Sequence, residues 1–301
     1  MASMWKLPGG LTQRELIRRV WVRLGEDNVF GRSAQLSYYF LLALFPLLLF
    51  LTTLLGYFAA TGAGLRNDLL RYLSAVMPAS ASELIHTTVD EISKAAGGGK
   101  LSIGIVATLW AASSGMSAIR ESLNFANNVQ ETRPWWKARL VAVTLTIALA
   151  ALIISALVLM FFGSTIAETV AVSLGFGNAF MVAWKILQWP FVLGFVLLAF
   201  SLIYYYAPDL RARRWRWITP GSLVGLLLWL LASFTFRGYL HFFNSYSATY
   251  GSLGAVIIMM LWFYFTGAAI LIGGEIDCAI ENAATESFEP DIKLKPERHD
   301  A

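Results

Sequence analysis

Six stretches of this 301-residue chain are apolar for long enough to cross the hydrocarbon core of a bilayer, which takes about 20 residues of helix. They lie near residues 36–58, 101–119, 140–162, 186–206, 220–240 and 253–273. Lipid offers no partner to a backbone amide, so each stretch has to be helical. Unbroken apolar runs such as 41–51 exclude the alternating pattern of a membrane β-barrel. Composition closes the soluble alternative: only 14% of residues are charged and 57% are hydrophobic, where a soluble domain carries roughly 25% charged residues. The expected fold is all-α, a polytopic membrane protein with six transmembrane helices in residues 36–279.

Charge location sets the orientation. Seventeen Lys/Arg fall on one side: Lys6, Arg14, Arg18, Arg19, Arg23 and Arg32 before the first span, Arg120, Arg133, Lys137 and Arg139 around the second connection, Arg211, Arg213, Arg214 and Arg216 around the fourth, and Lys293, Lys295 and Arg298 in the tail. The other side has six: Arg66, Arg71, Lys94, Lys100, Lys185 and Arg237. An excess of Lys/Arg stays cytoplasmic, which puts both termini inside. Trp135, Trp136, Trp215, Trp217, Trp184 and Trp189 fit the aromatic belts of the two interfaces. No short apolar core with a cleavage site precedes the first span, so no removable signal peptide is expected.

Three segments lie outside the spans. Residues 1–35 form a cytoplasmic or interfacial segment. Within it Leu16, Ile17, Val20, Trp21 and Leu24 recur at helical spacing among arginines, with a Thr12/Glu15 capping box at the start. Such a helix either lies on the anionic inner leaflet or packs on the protein's own cytoplasmic face. The first outer connection, 62–100, carries two apolar faces separated by Pro78 and predicts an outer amphipathic helical hairpin, with Gly97–Gly99 as a hinge. The tail 280–301 is expected to be disordered over 286–301, where Glu, Asp, Lys, Arg and Pro are mixed.

Residues for catalysis are scarce. His86, His241 and His299 are scattered, and orientation separates the last from the other two. No HExxH, GxSxG, Walker-type loop or GxGxxG after a strand is present. The single cysteine, Cys278, excludes an internal disulfide and a multi-cysteine metal site. The chain is therefore expected to be no enzyme, with no cofactor, no metal and no nucleic-acid partner.

Polar residues at the cytoplasmic span ends are more informative. Glu275 and Asp277 close the sixth span, Arg32 opens the first, and Arg120 and Asn124 follow the second at the same depth. Ionisable groups at membrane depth are costly unless paired. Glu275 is expected to pair with Arg32 or Arg120, either lining a path for a charged headgroup or ion, or holding helix ends together. Tyr38 and Tyr39 add hydroxyls to the first span, and Pro46 should kink it. In the second span Ala107, Ala111 and Gly115 recur every four residues beside Ser113, Ser114 and Ser117; in the sixth Ala269 and Gly273 do the same. Both read as central helices packed closely through small residues, with hydroxyls bonding across the contact.

Two segments together carry a family resemblance. The run from Arg32 through Ser37, Tyr38, Tyr39 and Ala43 to Pro46 resembles the first-helix signature of the YihY/virulence factor BrkB family. Tyr250, Gly251, Gly254, Trp262 and then Gly273-Gly274-Glu275-Ile276-Asp277 resemble its last-helix signature, with Asn124 and Pro220-Gly221 also fitting. The likeness covers about residues 12–285. Asp277 stands where the family commonly has asparagine, Ser37 where alanine is usual, and Ala43 where serine is frequent. The resemblance implies a six-helix protein of the bacterial inner membrane, loosely linked to envelope integrity and export of lipid-like molecules. An older label for some members, a transfer-RNA-processing ribonuclease, finds no supporting residues here.

The expected function is transport or flipping of a lipid-like envelope molecule; the alternative is a non-transporting scaffold of envelope proteins. Membrane lipids, anionic inner-leaflet lipid in particular, are the expected partners, with a homo-oligomer or envelope proteins beside them.

Overall fold

A computed structural model of the chain describes residues 12–59, 100–174, 178–210, 218–242 and 246–288. These residues form helices α1 (Gln13–Glu26), α2 (Val29–Ala59), α3 (Lys100–Ala126), α4 (Trp135–Leu174), α5 (Asn178–Tyr206), α6 (Pro220–Phe242) and α7 (Tyr246–Phe288). Among the described residues four helices are long and apolar enough to cross a membrane, over Trp135–Met160, Phe180–Tyr206, Pro220–Tyr239 and Val256–Ala284. The hairpin expected in 62–100 lies outside the described residues except for Lys100, which opens α3, and so do residues 211–217 and the tail from 289.

Several helices overrun the apolar stretches that announce them. α2 starts at Val29 and passes through Pro46 without a break, α4 continues to Leu174, and α7 runs on to Phe288. Hydropathy marks where a helix is greasy, whereas hydrogen bonding ends it only at a breaker or cap. Past Gly273 the sequence supplies Glu, Ile, Ala and Asn, with no proline before Pro290. Glu275 and Asp277 thus lie inside a helix rather than at its end.

α7 is the central element, packed on α1, α2, α3 and α6. From Gly267 to Ile280 every residue but Ile272 is buried, the pattern of a helix surrounded by others. Its neighbours come close because glycine lets them. A Cβ on Gly267 would meet Leu36 Cβ at 3.3 Å, and one on Gly115 of α3 would meet Ala43 Cβ of α2 at 3.3 Å. The small-residue faces of α3 and α7 therefore do pack closely. The serine hydroxyls do not bridge helices as expected. Ser113 and Ser114 donate to Trp110 O and Ala111 O of their own helix, at 2.8 and 2.7 Å. Only Ser117 is engaged from outside, by Arg139 Nη1 at 3.1 Å. A hydroxyl one turn above a carbonyl is already satisfied, which removes the drive to reach across.

The core joins Leu36, Ile119, Leu123, Leu145, Ile203, Tyr204, Leu226, Ile270 and Leu271 from six helices. The outer faces of α4, α5 and α6 expose Ile147, Leu187, Phe191, Leu227, Leu231 and Phe234. A water-soluble protein rarely shows so much exposed aliphatic and aromatic surface; lipid accepts it.

Of its two expected surroundings, α1 has the protein itself: it packs on α7. Val20 packs on Ile276, Ala279 and Ile280 of α7, while Ile17 and Trp21 point away, Trp21 being 75% exposed. Thr12 caps the helix by accepting from Glu15 N at 3.3 Å. The reciprocal half of the capping box is missing, because the Glu15 carboxylate turns to Arg18 and Arg19 at 3.0 and 3.1 Å. Arg18 and Arg19 hold that carboxyl below its ordinary value.

Candidate functional site

The polar residues at this end of the bundle do not form one cluster. They divide into three centres, because Glu275 and Asp277 are two residues apart on α7 and so point about 200° from each other around the helix.

The first centre joins α1, α3 and α7 through Arg23. Its Nε donates to Glu275 Oε2 at 2.8 Å, and its Nη2 donates to Ala126 O at the end of α3 and to Cys278 Sγ at 3.2 Å. Asp27 Oδ2 lies 3.7 Å from the same nitrogen. Glu275 is 0% exposed and Asp27 is also buried. The planar fork of a guanidinium serves several acceptors at once, which an ammonium cannot do. The expectation that Glu275 pairs with Arg32 or Arg120 is therefore corrected: its partner is Arg23. The hydrophobic contact of Val20 with α7 brings α1 under the bundle and carries Arg23 to Glu275. A sequence signal for this existed, since Leu16, Val20 and Arg23 follow an i, i+4, i+7 stripe.

Arg32 lies beside this centre without joining the pair. Its Nε donates to Asp27 O at 3.2 Å, and its guanidinium sits over the Phe125 ring, 3.5 Å from the centroid. That geometry is a cation–π contact between α2 and α3.

The second centre closes the connection between α3 and α4. Asn124 donates from Nδ2 to Glu131 Oε2 at 3.0 Å and accepts from Asp209 N at 2.8 Å. Asp209 in turn accepts from Thr132 N and Thr132 Oγ1 at 2.7 and 2.6 Å, and the Thr132 hydroxyl holds its carboxyl below the usual carboxylate range. Arg133 donates to Glu131 Oε1 at 2.6 Å and to Ala207 O at 2.9 Å. Arg120 lies 3.5 Å from Glu131 Oε2, yet its buried Nε and Nη1 make no hydrogen bond. Asn124 and Arg120 thus belong to a clamp on a loop, with partners other than Glu275. Glu131, Thr132, Arg133 and Asp209 carry no periodic signal, so only the fold reveals them.

The third centre fixes the crossing of α6 and α7. Thr219 and Ser222 cap α6 reciprocally, Ser222 N donating to Thr219 Oγ1 at 3.0 Å and Thr219 N to Ser222 Oγ at 2.9 Å. Gly221 N, one of the free amides of the first turn, donates to Asp277 Oδ1 at 2.8 Å. An amide oxygen would accept that bond as well, which explains how an aspartate can occupy the position where asparagine is common. Close by, Tyr204 Oη of α5 donates to Ile270 O at 2.8 Å.

The remaining expected residues lie elsewhere. Tyr38 is 53% exposed and meets Tyr39 edge-on at 5.8 Å, while Tyr39 packs on the core. Trp262 is half-buried, 6.3 Å from the Trp229 ring, and Gly254 is buried. Tyr250 and Gly251 fall in the first turns of α7.

Two cavities adjoin these centres. A pocket of about 440 Å³ between α1 and α7 is lined by Glu15, Arg18, Arg19, Val22, Arg23, Ala279 and Asn282. A larger apolar groove of about 680 Å³ runs between α6 and α7, from Phe30, Leu228 and Ile272 to Tyr239 and Leu261.

Among known proteins, the chain is similar to the ribonuclease-like protein YfkH of Bacillus subtilis, 37% identical over 270 residues that make up 89% of this chain and 94% of that protein. It is also similar to a UPF0761 membrane protein of Xanthomonas campestris pv. campestris, 24% identical over 269 residues, 86% of this chain and 59% of the relative. A UPF0761 membrane protein of Xanthomonas oryzae pv. oryzae is 24% identical over 289 residues, 93% of this chain and 63% of the relative. The chain thus spans about three fifths of the length of these Xanthomonas relatives. No solved structure matches it. The family model described as virulence factor BrkB matches residues 20–298, from α1 through α7 and into the tail. With its apolar helices and relatives named as membrane proteins, the chain belongs to the virulence factor BrkB family of membrane proteins.

Proposed function

We propose that the protein moves a lipid-like envelope molecule across the bacterial cytoplasmic membrane, as a six-span bundle with both termini in the cytoplasm. One observation carries this reading, the apolar groove between α6 and α7. Its walls, Leu228–Tyr239 and Leu261–Ile272, are each about 16 Å long at 1.5 Å per residue. That is the depth of one leaflet in a hydrocarbon core about 30 Å thick. Phe30, Leu231, Phe236 and Phe265 offer an acyl chain an apolar lining, and Thr235, Tyr239 and Tyr264 supply the few polar atoms. The reading assigns the chain no enzymatic role, because its three histidines are dispersed and no hydrolase motif accompanies them.

Reconstitution tests it. Liposomes holding the purified protein, loaded with a fluorescent phospholipid in one leaflet, should transfer it faster than protein-free liposomes. Ala232→Trp, which fills the groove from α6, should slow the transfer while leaving the protein folded. Equal rates with and without protein, or full activity in the filled variant, would overturn the proposal.

A second reading, a non-transporting scaffold, draws on a different observation. Arg32, Asn124 and Glu275 are each engaged by their own neighbours. Unaltered lipid distribution together with a specific envelope protein retained on the bundle would favour it.

A further inference from the structure

The first centre holds one positive group for two acids. Arg23 faces both Glu275, at 2.8 Å, and Asp27, at 3.7 Å. Both acidic residues are buried in the bundle, and both carboxyls face the same guanidinium. With all three groups ionised the site carries one net negative charge where water has little access, an unfavourable arrangement. Glu275 Oε1 sharpens the problem. It is fully buried and accepts no hydrogen bond, although Oε2 beside it is well served. Arg23 is already divided among Glu275, Ala126 O and Cys278, and Arg32 donates to the main-chain oxygen of Asp27 while its guanidinium covers the Phe125 ring. The other facing groups, Cys278 and Glu281 of α7, add no positive charge. A single proton shared between the two carboxyls removes the net charge and gives Glu275 Oε1 its missing partner.

We infer that Asp27 and Glu275 together bind one proton while α1 is docked on α7, and that losing this proton to water releases α1. Unlatching then leaves a net negative pair exposed to solvent, where it is tolerated. Docking is favoured on the acid side and lost on the alkaline side, because the docked form holds one proton more than the released form. The inference is independent of what the protein carries, since no substrate enters it.

The experiment uses the full-length protein in lipid nanodiscs, titrated with pH and followed by two readouts. Infrared spectroscopy detects a buried protonated carboxyl, and hydrogen exchange, corrected for the intrinsic rate, detects protection of 13–26. The expected result is a carboxylic-acid band that disappears on the alkaline side together with α1 protection. That protection should fall about tenfold per pH unit, the slope of one linked proton. Asp27→Asn, which leaves a neutral Arg23–Glu275 pair, should lose the band and keep α1 protected at every pH. Glu275→Gln serves as the second variant: it should also lose the band and make protection independent of pH. A band unchanged in both variants, protection of α1 that is flat with pH in the unmodified protein, or protection that follows sodium concentration in place of pH would overturn the inference.

Discussion

Replacing Gly221 by alanine puts one methyl group where two helices leave no room. The added Cβ would overlap the main-chain oxygen of Gly273 on α7 and lie 2.6 Å from Asp277 Cγ. Across the same contact a Cβ at Gly273 would lie 2.6 Å from Gly221 O and overlap the Tyr204 hydroxyl. The main-chain oxygen cannot rotate aside, so α6 and α7 have to separate. Overpacking of this kind costs about 1–3 kcal/mol. Separation also loosens the bond from Gly221 N to Asp277, a helix cap whose loss costs about 1 kcal/mol. The better helix propensity of alanine offsets at most about 1 kcal/mol, which leaves a net loss of roughly 1–3 kcal/mol. Gly238, further along α6, is the control: a Cβ there meets nothing within 4 Å, so Gly238→Ala should be neutral or stabilise by up to about 1 kcal/mol. Equilibrium unfolding in mixed micelles, followed by circular dichroism, gives both values on one scale. If Gly221→Ala unfolds at the same midpoint as Gly238→Ala, the closeness of the α6–α7 crossing has been misjudged and the reasoning fails.

Three further outcomes follow from the polar centres. Arg23→Met should cost about 3–5 kcal/mol by leaving Glu275 buried and uncompensated, Arg23→Lys should rescue little of it, and adding Glu275→Gln to Arg23→Met should recover a large part; proteolysis of α1 reads all three. Asp277→Asn should leave the unfolding midpoint nearly unchanged because Oδ1 still accepts from Gly221 N, whereas Asp277→Ala should cost about 1 kcal/mol. The Asp209 carboxyl is held below its ordinary value of about 3.9, so its tether to Thr132 stabilises the loop above that value and weakens only as pH falls through the lowered one. Thr132→Val should shift this acid-side loosening of 127–134 to higher pH, measured by hydrogen exchange.

The membrane-spanning character, the helix register and most of the centre of the bundle were legible without a structure. Gly115, Ala269 and Gly273 are small at four-residue spacing, and they do sit where helices touch. Glu275 stood out because a carboxylate at membrane depth needs a reason, and it is the most deeply buried acid of the described residues. Its partner was not legible. Arg23 lies 252 residues away on a helix outside the spans, and the four arginines on α1 looked alike in a linear reading. The Asn124 clamp was half visible: the asparagine marks the end of α3, but Glu131, Arg133 and Asp209 come from two connections whose lengths say nothing of their approach.

The sequence alone determined what depends on solvent and on period. Apolar runs require helices because lipid satisfies no backbone amide, and the lopsided Lys/Arg distribution sets their expected orientation because charge is retained on one side. Which acid meets which base was decided only by the tertiary structure. Burial of Val20 against Ile276, Ala279 and Ile280 places α1 under α7. That nondirectional contact, made by four aliphatic residues, selects Arg23 over Arg32 and Arg120 for Glu275. Ion pairing is short-ranged and steeply dependent on distance, so the choice belongs to whatever packing sets the last few ångströms.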